Sequence, residues 1–111
     1  MIRSFLLLLA LTLLSCQATA QSRSNGIIQG KIIEAQNKTP VEYANVALID
    51  TLNGKIISGA VTDSTGSFRL MNIPNGIYYL EYSFIGYEKQ RSQAVGIDRK
   101  NNRVDLGNLG L

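Results

Sequence analysis

The 111-residue chain carries 11 basic and 8 acidic side chains, a formal net charge of +3, with no histidine, no tryptophan and one cysteine. That excess is too small and too dispersed for a nucleic-acid footprint. The missing histidine removes the commonest general base and metal ligand, and a lone cysteine excludes an internal disulfide.

The chain opens on an export signal, residues 1–20. Arg3 supplies the positive n-region, Phe5 to Leu14 form an apolar run broken only by Thr12, and Ala18-Thr19-Ala20 reads as a cleavage site before Gln21. The run is too short to cross a bilayer, which needs about 20 apolar residues, so no transmembrane segment is expected in the mature chain. A second processing route competes. Leu13-Leu14-Ser15-Cys16 resembles a lipobox, in which Cys16 would be lipidated and become the first mature residue. Plain cleavage is the favoured route, with Cys16 lost alongside the signal. Residues 21–25 then form a short polar leader.

From Gly26 the pattern has period two, with Ile28, Gly30 and Ile32 on one face of a strand. Pro40 halts the ladder. A second strand is expected over Glu42 to Asp50 with Ala44, Val46 and Leu48 inward. Asn53-Gly54 closes a hairpin, and Lys55 to Thr62 returns. Asp63-Ser64-Thr65-Gly66 fits a type I turn, Asp63 accepting from the backbone and Gly66 opening toward αL. Phe68 and Leu70 face the core from the short strand that follows. At Pro74-Asn75-Gly76, proline presets φ and glycine is expected at a strained φ. Tyr78, Leu80, Tyr82 and Phe84 alternate inward along the next strand. Gly86 breaks it, and Tyr87 is expected to fold back with its hydroxyl on the backbone, as corner tyrosines do. A polar strand through Gln93, a loop over Ala94 to Asn102 and a last edge over Val104 to Leu111 complete the chain. Turns every 8 to 12 residues spell an all-β, seven-stranded antiparallel Greek-key sandwich over residues 26–111.

In this order Gly30, Thr39-Pro40-Val41, Ala44-Asn45-Val46, Thr62-Asp63, Gly66, Phe68, Ile73-Pro74, Gly76-x-Tyr78-x-Leu80 and Ser83-x-Ile85-Gly86-Tyr87 resemble the carboxypeptidase regulatory-like domain, a prealbumin-like (transthyretin-like) sandwich. The similar versions sit behind a signal peptide at the N-terminus of TonB-dependent outer-membrane receptors and related β-barrel proteins. Val104-Asp105-Leu106-Gly107-Asn108-Leu109 is similar to the strand that closes the domain there. The resemblance implies a non-catalytic accessory domain, for docking or regulation on the periplasmic side of the outer membrane, in a system that takes up a nutrient. Neither plug nor barrel sequence is present, so the chain is expected to be either the N-terminal piece of a longer protein of that kind or, as the alternative, a stand-alone secreted or lipid-anchored sandwich that binds carbohydrate or protein.

No cofactor or metal is expected. Asp50, Asp63, Asp98 and Asp105 lack the close spacing of an oxygen-ligand loop, and Asp63 is better explained as a turn residue. Asn37-Lys38-Thr39 matches a glycosylation sequon by chance. A glycan platform would have to use Tyr43 or Tyr79, because Tyr78 and Tyr82 fill core. Arg99, Lys100 and Arg103 read as solvated loop. A protein partner is expected at a strand edge: Glu88 to Gln93 is polar enough to protect its edge, and the more apolar Val104 to Leu111 is the edge chosen for contact.

Overall fold

The computed structural model describes residues 25–111. The export signal, the Cys16 lipobox and leader residues 21–24 lie outside the described residues. Alternation and turn chemistry divide the described chain into eight strands: β1 (Gly26–Ile33), β2 (Asn45–Asp50), β3 (Ile56–Val61), β4 (Ser67–Ile73), β5 (Gly76–Ser83), β6 (Gln90–Arg91), β7 (Val95–Ile97) and β8 (Arg103–Gly110). One sheet runs β4-β1-β8. The other runs β3-β2-β5, with β6 and β7 both against β5.

The alternating apolar positions meet between the sheets. Ile28, Ile32, Leu48, Leu70, Ile73 and Leu80 are the largest fully buried side chains, joined by Ala44, Val46, Phe68, Tyr78 and Tyr82. Burying an aliphatic side chain of this size contributes roughly 1.5–3 kcal/mol, and the interior of this sandwich is built almost entirely from such residues. Thr62 is its polar member.

Several elements depart from the sequence pattern. The second strand starts at Asn45 rather than Glu42, with Tyr43 just before it at a positive φ of 64°, outside the extended region. The strand after the Asp63 turn runs on to Ile73, and Asn72, at φ 58°, shifts the pattern so that Ile73 points inward. The expected loop over Ala94 to Asn102 contains β7, whose Val95 and Ile97 are both buried. β6 and β7 are two pieces of one edge strand interrupted at Ser92. There the Ser92 N–H donates to the Leu80 carbonyl (2.8 Å) and the Leu80 N–H donates to Ser92 Oγ (2.8 Å), so a side chain stands in for a rung. Counting the two as one brings the total to seven strands. One pairing is not antiparallel: β8 runs parallel to β1, from Ile27↔Arg103 to Ile33↔Gly110.

The chain crosses from one sheet to the other between β3 and β4, and Thr62 to Gly66 form that corner. Buried Thr62 Oγ1 accepts the Ala44 N–H (2.8 Å) and donates to the Val41 carbonyl (2.6 Å). Thr62→Val keeps the shape but leaves both backbone groups without a partner, and each such group costs about 1–3 kcal/mol. The variant is expected to unfold at distinctly lower denaturant with an unchanged m-value, as measured by urea titration followed by circular dichroism.

Candidate functional site: turns, groove and open edges

The residues that carry the sequence motif are engaged in turns and core. Asp63 Oδ1 accepts from the Thr65 N–H (2.9 Å), Thr65 Oγ1 (2.7 Å) and the Ser67 N–H (3.0 Å). Gly66, at φ 74°, is forced by geometry and by space, since a Cβ there would lie 2.5 Å from the Ile32 carbonyl oxygen. Phe68 and Leu80 are core, and Gly86 (φ 92°) lies in the turn that follows β5.

The other three aspartates do the same work as Asp63. Asp50 Oδ1 accepts from Leu52 N–H, Asp98 Oδ1 from the Lys100 and Asn101 N–H groups, and Asp105 Oδ1 from Gly107 N–H. A short carboxylate that reaches its own backbone two residues on is the Asx-turn geometry. Among the described residues no three Asp, Glu or Cys side chains converge as a metal cage would require. Asn37, the sequon residue, makes a similar turn, accepting from Thr39 N–H and Oγ1.

The corner role belongs to a different tyrosine from the one expected. Tyr78 Oη donates to the Pro74 carbonyl (2.7 Å), four residues upstream. Burial, and then the Asp50 carboxylate, push the Tyr78 hydroxyl above its ordinary pKa. Gly76 has an ordinary φ and is required for space instead: a Cβ would stand 2.9 Å from Tyr78 Oη. Tyr87 remains 39% exposed, tilted against Phe84 at 6.3 Å between ring centroids. Its hydroxyl pKa is raised by desolvation and by Glu34, and among the described residues no hydrogen bond joins that hydroxyl to the backbone. The sequence signal for Tyr78 was the i−4 proline, which the Gly86-Tyr87 pair masked.

Of the two rings left for a glycan platform, Tyr79 is covered by the Arg91 guanidinium at 5.0 Å, itself paired to Glu81 at 3.3 Å. Tyr43 is 68% exposed. A groove of about 450 Å³ lies instead over β1, β4 and β8, lined by Gln29, Lys31, Arg69, Asp105, Gly107 and Asn108 among others. Gln29 Nε2 donates to Asp105 Oδ2 across it (3.2 Å). Gly107, at φ 66°, sits in the β8 bulge that shifts the register between Gln29↔Asp105 and Lys31↔Asn108.

The sheets leave strands open at their sides. β8 is bonded on one side only, to β1, and its apolar residues Val104, Leu106 and Leu109, with Leu111 just beyond it, pack against the core rather than toward solvent. The apolar character that marked this strand therefore belongs to the interior; what β8 offers outward is backbone, with Asp105 and Asn108. β3 is the other long outer strand of its sheet, and sequence reasoning gave it no role.

Two measurements test these assignments. Tyr78→Phe removes a buried hydrogen bond and is expected to destabilise by about 1 kcal/mol, whereas Tyr87→Phe should change stability by less than about 0.5 kcal/mol, both read by urea unfolding. Separately, the Asp63 carboxyl is held below its ordinary value by the Thr65 hydroxyl and the Ser67 N–H, against a smaller opposing effect of burial. The unfolded chain therefore binds protons more readily than the folded one, and stability present above pH 3.8 is lost as pH falls through the depressed folded value. Thermal melts between pH 6 and about pH 2 should show this acid loss reduced in Asp63→Asn.

Comparison with known proteins agrees with the architecture. BcpA, the major pilin subunit of Bacillus cereus, is 28% identical over 76% of this chain with a TM-score of 0.58, and the match spans 29% of the pilin chain. The group B streptococcus pilus 2b backbone protein (19% identity, 78% of this chain, 42% of that chain, TM-score 0.58) and the 5-hydroxyisourate hydrolase of Klebsiella pneumoniae (17%, 77% of this chain, 84% of that chain, TM-score 0.57) share the fold. This chain thus spans under half of either pilin. No curated protein matches it. The CarboxypepD_reg-like domain matches residues 28–108, nearly all of the described sandwich, and the chain belongs to that family.

Proposed function

We propose that the chain is a non-catalytic, exported docking module on the periplasmic side of the outer membrane, the accessory domain of a TonB-dependent receptor or similar β-barrel protein engaged in nutrient uptake. The observation that carries this reading is the division of labour among its residues. The motif residues and all four aspartates are engaged in turns and core, while β8 keeps one backbone side open along eight residues. An open strand binds a partner through main-chain hydrogen bonds and needs no reactive side chain. Export is supported by the charged, apolar and small-residue succession of residues 1–20. Among the described residues no helix is long and apolar enough to cross a membrane.

A second reading, binding of a carbohydrate, is supported by the groove over β1, β4 and β8, whose amide, carboxylate and cationic side chains can all bond sugar hydroxyls. In this reading the ligand is held by polar contacts without an aromatic platform.

One preparation tests both. The chain is expressed with its own leader in a Gram-negative bacterium, with a photo-cross-linking residue in place of Asn108. The expected product starts at Gln21, fractionates with the envelope and cross-links to an outer-membrane β-barrel protein. A chain that retains residues 1–20 in the cytoplasm, or gives no adduct at Asn108, overturns the docking role. A lipidated Cys16 assigns the anchored form instead. Amide shifts confined to Gln29 and Asn108 on titration with oligosaccharides would establish the second reading, and an unmoved spectrum across a broad panel would dismiss it.

A further inference from the structure

The outer strands of the sandwich differ in how they are guarded. β6 is two residues long and carries Arg91, β7 is three residues long, β4 presents Arg69 and a left-handed Asn72, and β8 is kinked at Gly107 with Asp105 beside it. Charges, shortness and bulges are the devices that keep an edge from pairing with another chain. β3 reads Ile-Ile-Ser-Gly-Ala-Val, with no charge and no proline, and exposes Ile56 (69%), Ile57 (39%) and Val61 (56%). Its one guard is a bulge at Ile57, where the register passes from Leu48↔Ser58 to Ile49↔Ile56. From Ser58 to Val61 the edge is regular and unprotected.

The direction of the free backbone groups follows from the ladder. The Thr62 N–H donates to the Ala44 carbonyl (3.0 Å), so Thr62 and, two residues apart, Ala60 and Ser58 turn toward β2. Gly59 and Val61 then turn their N–H and C=O away from it, as alternate residues of an antiparallel strand must.

We propose that β3 pairs antiparallel with β3 of a second copy of this chain about a two-fold axis at Ala60, joining two five-stranded sheets into one. Three features select a second copy over a foreign strand. The outward pair is self-complementary in register: a two-fold axis at Ala60 sets Gly59 of each copy opposite Val61 of the other, so all four outward groups on each copy find partners. The interior of the strand holds no charge to repel its own image. The charges that bound it have opposite sign, Lys55 before the strand and Asp63 after it. Antiparallel pairing brings the start of one copy beside the end of the other. An isologous contact of this kind closes at two subunits and does not propagate. It uses the side of the molecule opposite to the β8 edge and does not depend on the docking role proposed for that edge.

The test is the mass of the purified chain 21–111 by sedimentation equilibrium from about 10 µM to about 1 mM, a span that covers weak association. The expected result is a monomer that converts to dimer with rising concentration. Val61→Lys places a charge on the exposed face of the strand and is expected to weaken dimerisation at least tenfold, with its circular dichroism and melting transition retained. Lys55→Glu, which opposes Asp63 with a like charge, should weaken it by a smaller, salt-sensitive factor. Asn108→Lys on β8 should leave it unchanged. A wild-type chain that stays monomeric to 1 mM overturns the proposal, as does a dimer that survives Val61→Lys or that Asn108→Lys abolishes.

Discussion

The fold depends on the corner between β3 and β4, where one hydroxyl and one carboxylate hold two sheets in place. Thr62 Oγ1 ties the start of β2 to the approach from β1, through Ala44 and Val41. Asp63 Oδ1 gathers three donors and turns the chain into β4. The Gly66 carbonyl accepts the Ile32 N–H at 2.8 Å, so the turn is also bonded to the end of β1. Five consecutive residues thus join β3 to β4 and are bonded to the end of β1 and to the segment that leads into β2. No disulfide ties the layers of this sandwich together, and apolar packing alone leaves their relative position loosely specified. Directional hydrogen bonds at the crossing point supply that specificity, and they are worth more there because Thr62 is out of water.

The same economy of polar chemistry runs through the rest of the chain. All four aspartates accept from backbone groups two to four residues ahead, and no buried side-chain polar atom among the described residues lacks a partner. Polar side chains of the kind other proteins use on ligands are here used on the chain itself. Contact with other molecules is thereby left to backbone edges, to the groove beside the β8 bulge and to the few exposed apolar side chains. This is why a similarity in fold to pilins and a hydrolase says little about chemistry: the fold is built from turns and core, and function is grafted elsewhere.

Much of the architecture was legible in the sequence because turn residues have local causes. Asp63 and Gly66 announce their turn by themselves, and the Tyr78-x-Leu80-x-Tyr82 alternation identifies the buried face without tertiary information. What escaped was decided by partners distant in sequence. Val95 and Ile97 form a strand only because β5 offers them an edge, and two alternating residues are too few for periodicity to register. Tyr78 and Tyr87 both follow a glycine-bearing turn, and only packing shows which hydroxyl is covered. The apolar residues of β8 suggested an exposed adhesive strip, yet in the fold they line the interior. Nothing in the sequence marked β3 as an edge, since it lacks the charges that mark the other long outer strands.

The parallel pairing of β8 with β1 carries a kinetic consequence. Gln29 and Asp105, 76 residues apart, meet in that pairing, so the first strand of the sandwich is completed by the last. Contacts of such separation form late, because the loop they close must be ordered before they are gained. A chain synthesised from its N-terminus holds β1 with one side vacant until residues 103–110 are available. Folding therefore finishes only when nearly the whole domain has been made. Such a chain stays in an incompletely folded form through synthesis, the form a chain needs if it is to be threaded across a membrane before it acquires its shape.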